Sequence, residues 1–316
     1  MKNIYSNIYS FNKNLLNKTV KYLKDGKIVG LPTETVYGLA GNAYSRKALK
    51  KIYKIKIRPK KNPLIIHYYD LKKVNNDVFL NDNFLKLYKR FCPGPITFIL
   101  KKKRESKINS LACAKLNTVG IRFPKHKITR AILKELDFPL AMPSANLSSR
   151  LSPVSARDVF EELKSKVKII INGGKSKIGI ESTVIDLTGK PKILRPGIIS
   201  LKDIQKLKKI KFSKNNSKIR SPGMYKKHYS PGIPILLNKK PGNSTQAYIV
   251  FGKNHKSKKN YFNLSKKADL NEAAANLYST MRKIKKKGFK KIYVARIPNT
   301  GVGYAINDRL KRASKK

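Results

Sequence analysis

Short apolar runs of strand length recur along this chain, separated by helical or polar spacers, and that rhythm restricts its fold more than any other feature. The runs KIVGL (27–31), PLIIHY (63–68), ITFILK (96–101), TVGIRF (118–123), PLAM (139–142), KIIIN (168–172), TVIDL (183–187) and KILR (192–195) read as strands. Helical spacing predicts a helix over 12–25, where Leu15, Leu16, Val20 and Leu23 share a face and Gly26 suits the C-terminal cap. Further helices are expected near 81–91, 128–136 and 155–165, the last with Ser155 as N-cap and Asp158 in its first turn. The segment PTETVYGLAGNA (32–43) reads as an irregular loop before a helix capped by Ser45. Strands interleaved with helices predict an α/β fold with a twisted sheet covered on its faces. The sheet must be mixed, because several connections are too short for a parallel crossover.

Around 211–234 the rhythm gives way to KFSKNNSKIRSPGMYKKHYSPGIP, whose prolines and polar residues predict a linker. A second α/β unit follows: strand AYIVFG (247–252), a helix over 270–287, strand KIYVARI (291–297), then Gly301 and Gly303 before a helix. The expected division is 1–210, a linker 211–234, and 235–316, which suits 316 residues at about 100–200 per domain. No run approaches the roughly 18 apolar residues of a membrane span, and the start MKNIYSNIYSFNKNLLNK lacks a signal-peptide core, so a cytoplasmic protein without membrane contact is expected. Cys92 and Cys113 form no CxxC pair and the four histidines are scattered, which encodes neither a disulfide framework nor a structural zinc site.

Charge is extreme: 72 basic minus 17 acidic residues gives +55. Of the 72, only 14 are Arg, leaving 58 Lys. With many Ile and Asn beside them, Lys scattered over solvated faces by a biased genome composition explains this better than a dedicated nucleic-acid surface. A polyanionic substrate or a transient RNA contact stays open. The bias also serves as a probe, because Lys-free stretches mark places that exclude Lys. Those at 28–46, 135–163 and 178–189 carry PTET (32–35), PSAN (143–146) and EST (181–183), small polar turn-forming motifs beside apolar strands.

The PTETVYG loop follows a strand and offers hydroxyls, a carboxylate and a phenol where open α/β sheets usually bind ligands, although Thr33 or Thr35 could equally bond its own backbone. Lys56 and Arg58 stand two apart, which on an extended segment puts both on one face, able to grip neighbouring phosphates. Lys54, Lys60 and Lys61 read as solvated, and Asn62 before Pro63 adds an amide. Scarce Arg stands at two strand ends before Pro, as Arg122 and Arg195, and a guanidinium there matches carboxylates and phosphates. Ser144, Asn146, Ser182 and Thr183 suit binding, because there is no GxSxG elbow and no GxxxxGK[ST] loop.

The segments GLPTETVYGLAGNA, KIKIRPKKNPLIIH, PGPITFIL, TVGIRFP, PLAMPSANLSS, GIESTVIDL, ILRPG and KKHYSPG, in this order, resemble the YrdC-like threonylcarbamoyl-AMP synthase family. AINDRLKRAS near the end resembles its longer, two-domain form, in which a smaller Rossmann-like α/β domain follows the catalytic one. The resemblance implies condensation of L-threonine, bicarbonate or CO2 and ATP to threonylcarbamoyl-AMP and pyrophosphate, for the threonylcarbamoyladenosine modification of tRNA. It implies Thr35, His67, Arg122 and Ser182 around threonine, with Arg122 on its carboxylate. It implies Lys56, Arg58, Asn62, Thr118, Ser144, Asn146, Ser152, Arg195 and Tyr229 around ATP. Mg2+ is expected with the triphosphate, without a protein metal site or a tightly bound cofactor. A transient contact with a tRNA threonylcarbamoyltransferase or with tRNA is also implied. His67 reads equally as a satisfied core histidine. Two other readings are an RNA-binding or ribosome-associated module of the same fold, and a carbamoyltransferase related to hydrogenase maturation, whose larger members carry cysteine-rich zinc segments that this chain lacks. Met224, Tyr225, His228 and Tyr229 give the linker more apolar content than a spacer needs, and they are expected either to fold as a lid over the nucleotide or only to staple the two domains together.

Overall fold

The computed structural model describes residues 6–206, 228–240, 245–253, 255 and 258–315. Residues 211–227 of the expected linker, Met224 and Tyr225 among them, lie outside the described residues. The apolar runs form β1 (Ile8–Ser10), β2 (Val29–Leu31), β3 (Gly38–Asn42), β4 (Ile65–His67), β5 (Ile96–Lys101), β6 (Thr118–Arg122), β7 (Leu140–Ala141), β8 (Ile170–Asn172), β9 (Thr183–Asp186) and β10 (Lys192–Arg195). They make one ten-stranded sheet ordered β1-β8-β2-β3-β7-β4-β6-β5-β9-β10. It is mixed: β1 with β8, β8 with β2, β4 with β6 and β5 with β9 are parallel, and the remaining pairs antiparallel.

The helices are α1 (Lys13–Lys24), α2 (Arg46–Lys56), α3 (Leu71–Val74), α4 (Asp82–Phe91), α5 (Lys127–Lys134), α6 (Ala156–Leu163) and α7 (Leu201–Gln205). Their starts follow the capping chemistry read from the sequence: Ser45 accepts from the Ala48 N–H, and Ser155 with Asp158 closes a capping box. Period-two alternation sorts each strand between two cores. Leu39, Ala141, Ile66, Ile121 and Phe98 pack under α2, α4 and α6. Leu31, Ala40 and Leu140 pack on the opposite face, under α1 and α5.

Three local expectations are corrected. Gly38–Asn42 is strand β3, paired antiparallel with β2, rather than irregular loop. The run GLAGN carries no β-branched signal because Gly38, Leu39, Ala40 and Gly41 are all buried, where small residues pack between neighbouring layers. Strand β1, too short to show a pattern, extends the sheet beside β8. Lys56 and Arg58 do not lie on an extended segment: Lys56 ends α2 and Ile57 turns left-handed with φ 51°.

The second sheet has four parallel strands, β11 (Ile235–Leu236), β12 (Ala247–Val250), β13 (Tyr261–Asn263) and β14 (Ile292–Val294), ordered β11-β14-β12-β13. Helices α8 (Leu270–Lys286) and α9 (Gly303–Ala313) cover one face. Their core does not stop at the second sheet: Leu277, Met281, Ile306 and Leu310 share one apolar cluster with Val36, Leu151, Val154 and Ile180 of the first. Among the described residues no helix is long and apolar enough to cross a membrane.

Gly179 marks how closely the two units approach. Its φ is +77°, and a Cβ there would stand 2.5 Å from Ala275 Cα in α8. Gly179→Ala combines left-handed strain with a clash against backbone, and a loss of about 2 kcal/mol or more is expected. Urea unfolding checks this, and a change below about 0.5 kcal/mol would contradict it.

Candidate active site

Helices α1 and α5 cover only part of their face of the large sheet. Over β4, β6, β5 and the start of β9 that face instead carries Ile65 and His67, Gly120 and Arg122, Thr97, and Ser182, and these form the floor of a cleft. Thr33, Val36, Tyr37 and Gly38 make one wall, Met142, Pro143 and Ser144 another, and Glu181, Arg195, His228 and Tyr229 close over the side toward the second sheet. Register orders the floor. His67 stands beside Arg122, whereas the same register carried two residues back sets Thr118 level with Pro63, about 13 Å from Arg122 along the strand.

At the first end, Arg122 Nη2 donates to Glu34 Oε1 at 2.6 Å and to Thr35 Oγ1 at 2.8 Å. Burial pushes the Glu34 carboxyl up, but the Arg122 guanidinium outweighs it and holds the pKa below its ordinary value. The Arg122 Nε donor is buried without a protein partner. Both readings of the PTET loop hold: Thr33 Oγ1 donates to Val36 O and accepts from the Thr35 and Val36 N–H groups, while Thr35 faces Arg122. Burial, and then the nearby Arg122, push His67 well below its usual range. Its ring is therefore neutral, with Nδ1 3.2 Å from Ile65 O, and it lines the cleft rather than the apolar core.

At the second end, Arg58 lines the cleft and spends Nε on Asn62 O at 3.0 Å and Nη2 on Asn62 Oδ1 at 2.6 Å and Pro63 O at 2.7 Å. Asn62 thus orients Arg58. Lys56 is buried and donates to Ser144 O and Asn146 O; burial, with Arg58 beside it, drives its pKa far down. Asn146 Nδ2 donates to Leu147 O and Arg150 O, which leaves Oδ1 buried without a protein partner. Ser182 Oγ lies 2.8 Å from Thr97 Oγ1 and accepts from Arg195 Nη2, while Arg195 Nε donates to Ser182 O. Of the sequence-derived candidates, Arg58, His67, Arg122, Ser144, Arg195 and Tyr229 line the cleft directly. Thr35, Lys56, Asn62 and Ser182 stand behind them as bonded supports, Asn146 joins them through Lys56, and Thr118 lies along the floor.

Sequence reasoning missed the centre of the far wall. Glu181 accepts from Ser152 Oγ (2.5 Å), Tyr278 Oη (3.0 Å) and Arg309 Nε (2.9 Å), which makes Ser152 a partner of Glu181. Tyr229 is buried with its ring 5.8 Å from Tyr278 and 5.2 Å from the Arg309 guanidinium, and its hydroxyl has no partner among the described residues. His228 packs 4.0 Å from Tyr229. The scarcity of Arg that singled out Arg122 and Arg195 applies equally to Arg309, and it was the available signal.

A family model described as "Telomere recombination" matches residues 21–197, and one described as "Threonylcarbamoyl-AMP synthase, C-terminal domain" matches 199–315. A threonylcarbamoyl-AMP synthase of Pyrococcus abyssi is 33% identical over 318 residues, covering 93% of this chain and 92% of the relative. One of Bacillus subtilis is 35% identical over 314 residues, covering 92% and 90%. The crystal structure of P. abyssi Sua5 complexed with L-threonine superposes with a TM-score of 0.88 at 31% identity, covering 97% of each chain.

Burial pushes the Glu181 carboxyl up, but Arg309 first and Arg195 second hold it at about 2, against an ordinary 4.5. A depressed carboxyl contributes its stability in full above the unfolded value and loses it as the pH falls through 4.5 toward 2. Arg309→Leu is expected to cost about 3–5 kcal/mol at pH 7, because it strands a buried charge. It should also flatten the loss of stability below pH 5. Urea midpoints between pH 7 and 3 measure both, and an unchanged acid slope would remove Arg309 from this role.

Proposed function

We propose that this chain, which belongs to the threonylcarbamoyl-AMP synthase family in its two-domain form and makes threonylcarbamoyl-AMP, holds L-threonine at the His67–Arg122 end of the cleft and ATP toward Arg58, Ser144 and Thr118. The observation that carries this reading is a set of buried polar atoms without partners among the described residues: Arg122 Nε, His228 Nδ1 and Tyr229 Oη on residues that line the cleft, and Asn146 Oδ1 behind it. Each costs roughly 1–3 kcal/mol if left unmet, so the cleft is built for a polar ligand.

A threonine carboxylate would complete Arg122, which Glu34 and Thr35 already hold in place. His67, being neutral, can donate through one ring nitrogen and accept from an ammonium through the other. Bicarbonate loses hydroxide to give CO2, the hydroxide takes one ammonium proton to become water, and the freed amine attacks CO2, forming the N–C bond and releasing a second proton. A carbamate oxygen attacks the α-phosphorus of ATP, and the bond to pyrophosphate breaks. Alignment of three reactants and charge stabilisation do most of this work, and alignment alone can supply about 7–11 kcal/mol. Arg58 would face the phosphates, with Lys56 behind it holding the Ser144–Asn146 segment, and Arg195 with Ser182 would face the developing adenylate. Magnesium would arrive with ATP, because among the described residues Glu181 in the cleft and Glu34 beside it are taken by Arg309 and Arg122. His228 and Tyr229 would cover the nucleotide and keep water from the adenylate. The activated carbamoyl group must pass to a transferase, on this reading one acting on tRNA, and a cytoplasmic setting suits a reaction fed by ATP.

Pyrophosphate release should require ATP, threonine and bicarbonate together, and release that persists without threonine would refute the reading. Arg122→Ala should raise the KM for threonine by about tenfold or more and leave that for ATP nearly unchanged. Titrating both substrates checks the assignment, since a rise for ATP alone would reverse the two ends. Serine should react more weakly than threonine by about 1–3 kcal/mol in kcat/KM, the value of one methyl group in a fitted pocket.

A further inference from the structure

The second sheet presents its two faces differently. Ala247, Ile249, Ile292 and Val294 point into the core under α8 and α9. The alternate residues point the other way, where no described helix covers them. Register aligns them in one row across all four strands: Leu236 beside Tyr293, Tyr293 beside Tyr248, Tyr248 beside Tyr261. Ring centroids are 5.1 Å apart between Tyr293 and Tyr248 and 5.4 Å between Tyr248 and Tyr261. Tyr248 is buried in the middle of the row, and Tyr261 and Tyr293 are half-buried at its sides.

Cations surround this row. Lys258 Nζ stands 5.4 Å from the Tyr261 centroid, and Lys291, two residues before Tyr293 at the start of β14, belongs to the same face. Beside Tyr261, at the end of the sheet, a cavity of about 540 Å3 opens, lined by Val250 and Asn263 of this face, by Lys253, His255 and Lys266, and by Phe262, Thr280 and Lys283 from the side that α8 covers. Residues 235–316 contain 21 Lys and Arg against three acids, Asp269, Glu272 and Asp308. All three acids cap or lie on α8 and α9, and none lines the cavity.

We propose that this face binds single-stranded RNA, with bases on the tyrosine row and phosphates on the lysines around it. Lysine alone would hold any polyanion, whereas aromatic faces add attraction only for bases. Among nucleic acids, folded RNA supplies loops whose unstacked bases can be splayed onto a sheet of this kind. The assignment goes beyond the synthase reading and does not depend on it, because none of these residues belongs to the cleft.

The test is fluorescence anisotropy of a labelled 12-nucleotide RNA of mixed sequence with the full chain, repeated with duplex RNA, with DNA of the same sequence, and with polyphosphate as competitor. Single-stranded RNA should bind tightest. Tyr261→Leu with Tyr293→Leu should weaken it about tenfold or more without changing the salt dependence, while Lys258→Gln with Lys291→Gln should reduce the slope of log affinity against log salt by about 1.4. Pyrophosphate release should stay unchanged in both variants. Equal binding by the leucine variant, by duplex RNA or by polyphosphate would overturn the proposal, and equal or tighter binding of DNA would overturn its assignment to RNA. If the leucine variant fails to fold, photocrosslinking of 4-thiouridine RNA to the unaltered protein decides instead: crosslinks to 246–263 and 291–295 uphold the face, and crosslinks confined elsewhere refute it.

Discussion

The buried carboxylate of Glu181 is the constraint around which the two halves of the molecule are arranged. A charge removed from water costs several kcal/mol unless it is paired and hydrogen-bonded. Here the compensation comes from three directions: Ser152 on the large sheet's side, and Tyr278 and Arg309 from α8 and α9. The first sheet cannot satisfy Glu181 alone, and Arg309, fully buried itself, would keep only the neighbouring Asp308 as a charged partner without Glu181. Because Ser182 follows immediately and takes Arg195, the same contact fixes one wall of the cleft. Apolar packing repeats the message, since Ile180 belongs to the core around Leu277 and Met281.

The cleft itself works by the opposite logic. Its cations are desolvated and supplied with neutral carbonyls or with one well-placed carboxylate, so they are held in position without being saturated. Lys56 has two carbonyls and a depressed pKa, and Arg122 has Glu34 and Thr35 but an unmet Nε. An anion entering such a site meets donors that need little reorganisation, which is where electrostatic catalysis gains most. Such unmet donors cost stability until a ligand pairs them.

How much of this was legible in the sequence follows from where each signal lies. Local chemistry was readable: the Ser45 and Ser155 caps, the helix over Lys13–Lys24, and the apolar strands that made the sheet. The Lys-free stretches likewise led to the cleft, because a site for small polar ligands excludes long exposed amines. What escaped depends on contacts between segments far apart in the chain. Strand β3 hides in GLAGN because it is buried by neighbours, not by bulk of its own. The left-handed turn at Ile57 follows from the end of α2, which no spacing rule between Lys56 and Arg58 could report. The pairing of Glu181 with Arg309 spans 128 residues, and only the rarity of Arg in a Lys-rich chain hinted at it.

The same long-range contacts change how the aromatic end of the linker should be understood. Read from sequence, His228 and Tyr229 belong to a strap that could close on the catalytic half by itself. In the structure Tyr229 lies between Tyr278 and Arg309, both from the second unit, and the adjoining Ser230 N–H donates to Ser149 O beside the cleft. Its backbone holds φ at 62°, a conformation a tyrosine keeps only when its surroundings impose it. The cover is therefore a strap fixed at its far end, and its position over the cleft is set by α8 and α9. Removing the second unit would remove the surface that holds Tyr229, uncover Val36, Leu151, Val154 and Ile180, and strand Glu181 in one step. The two sheets are consequently better regarded as one cooperative body, with the catalytic cleft at their junction, than as a catalytic domain with a separable appendage.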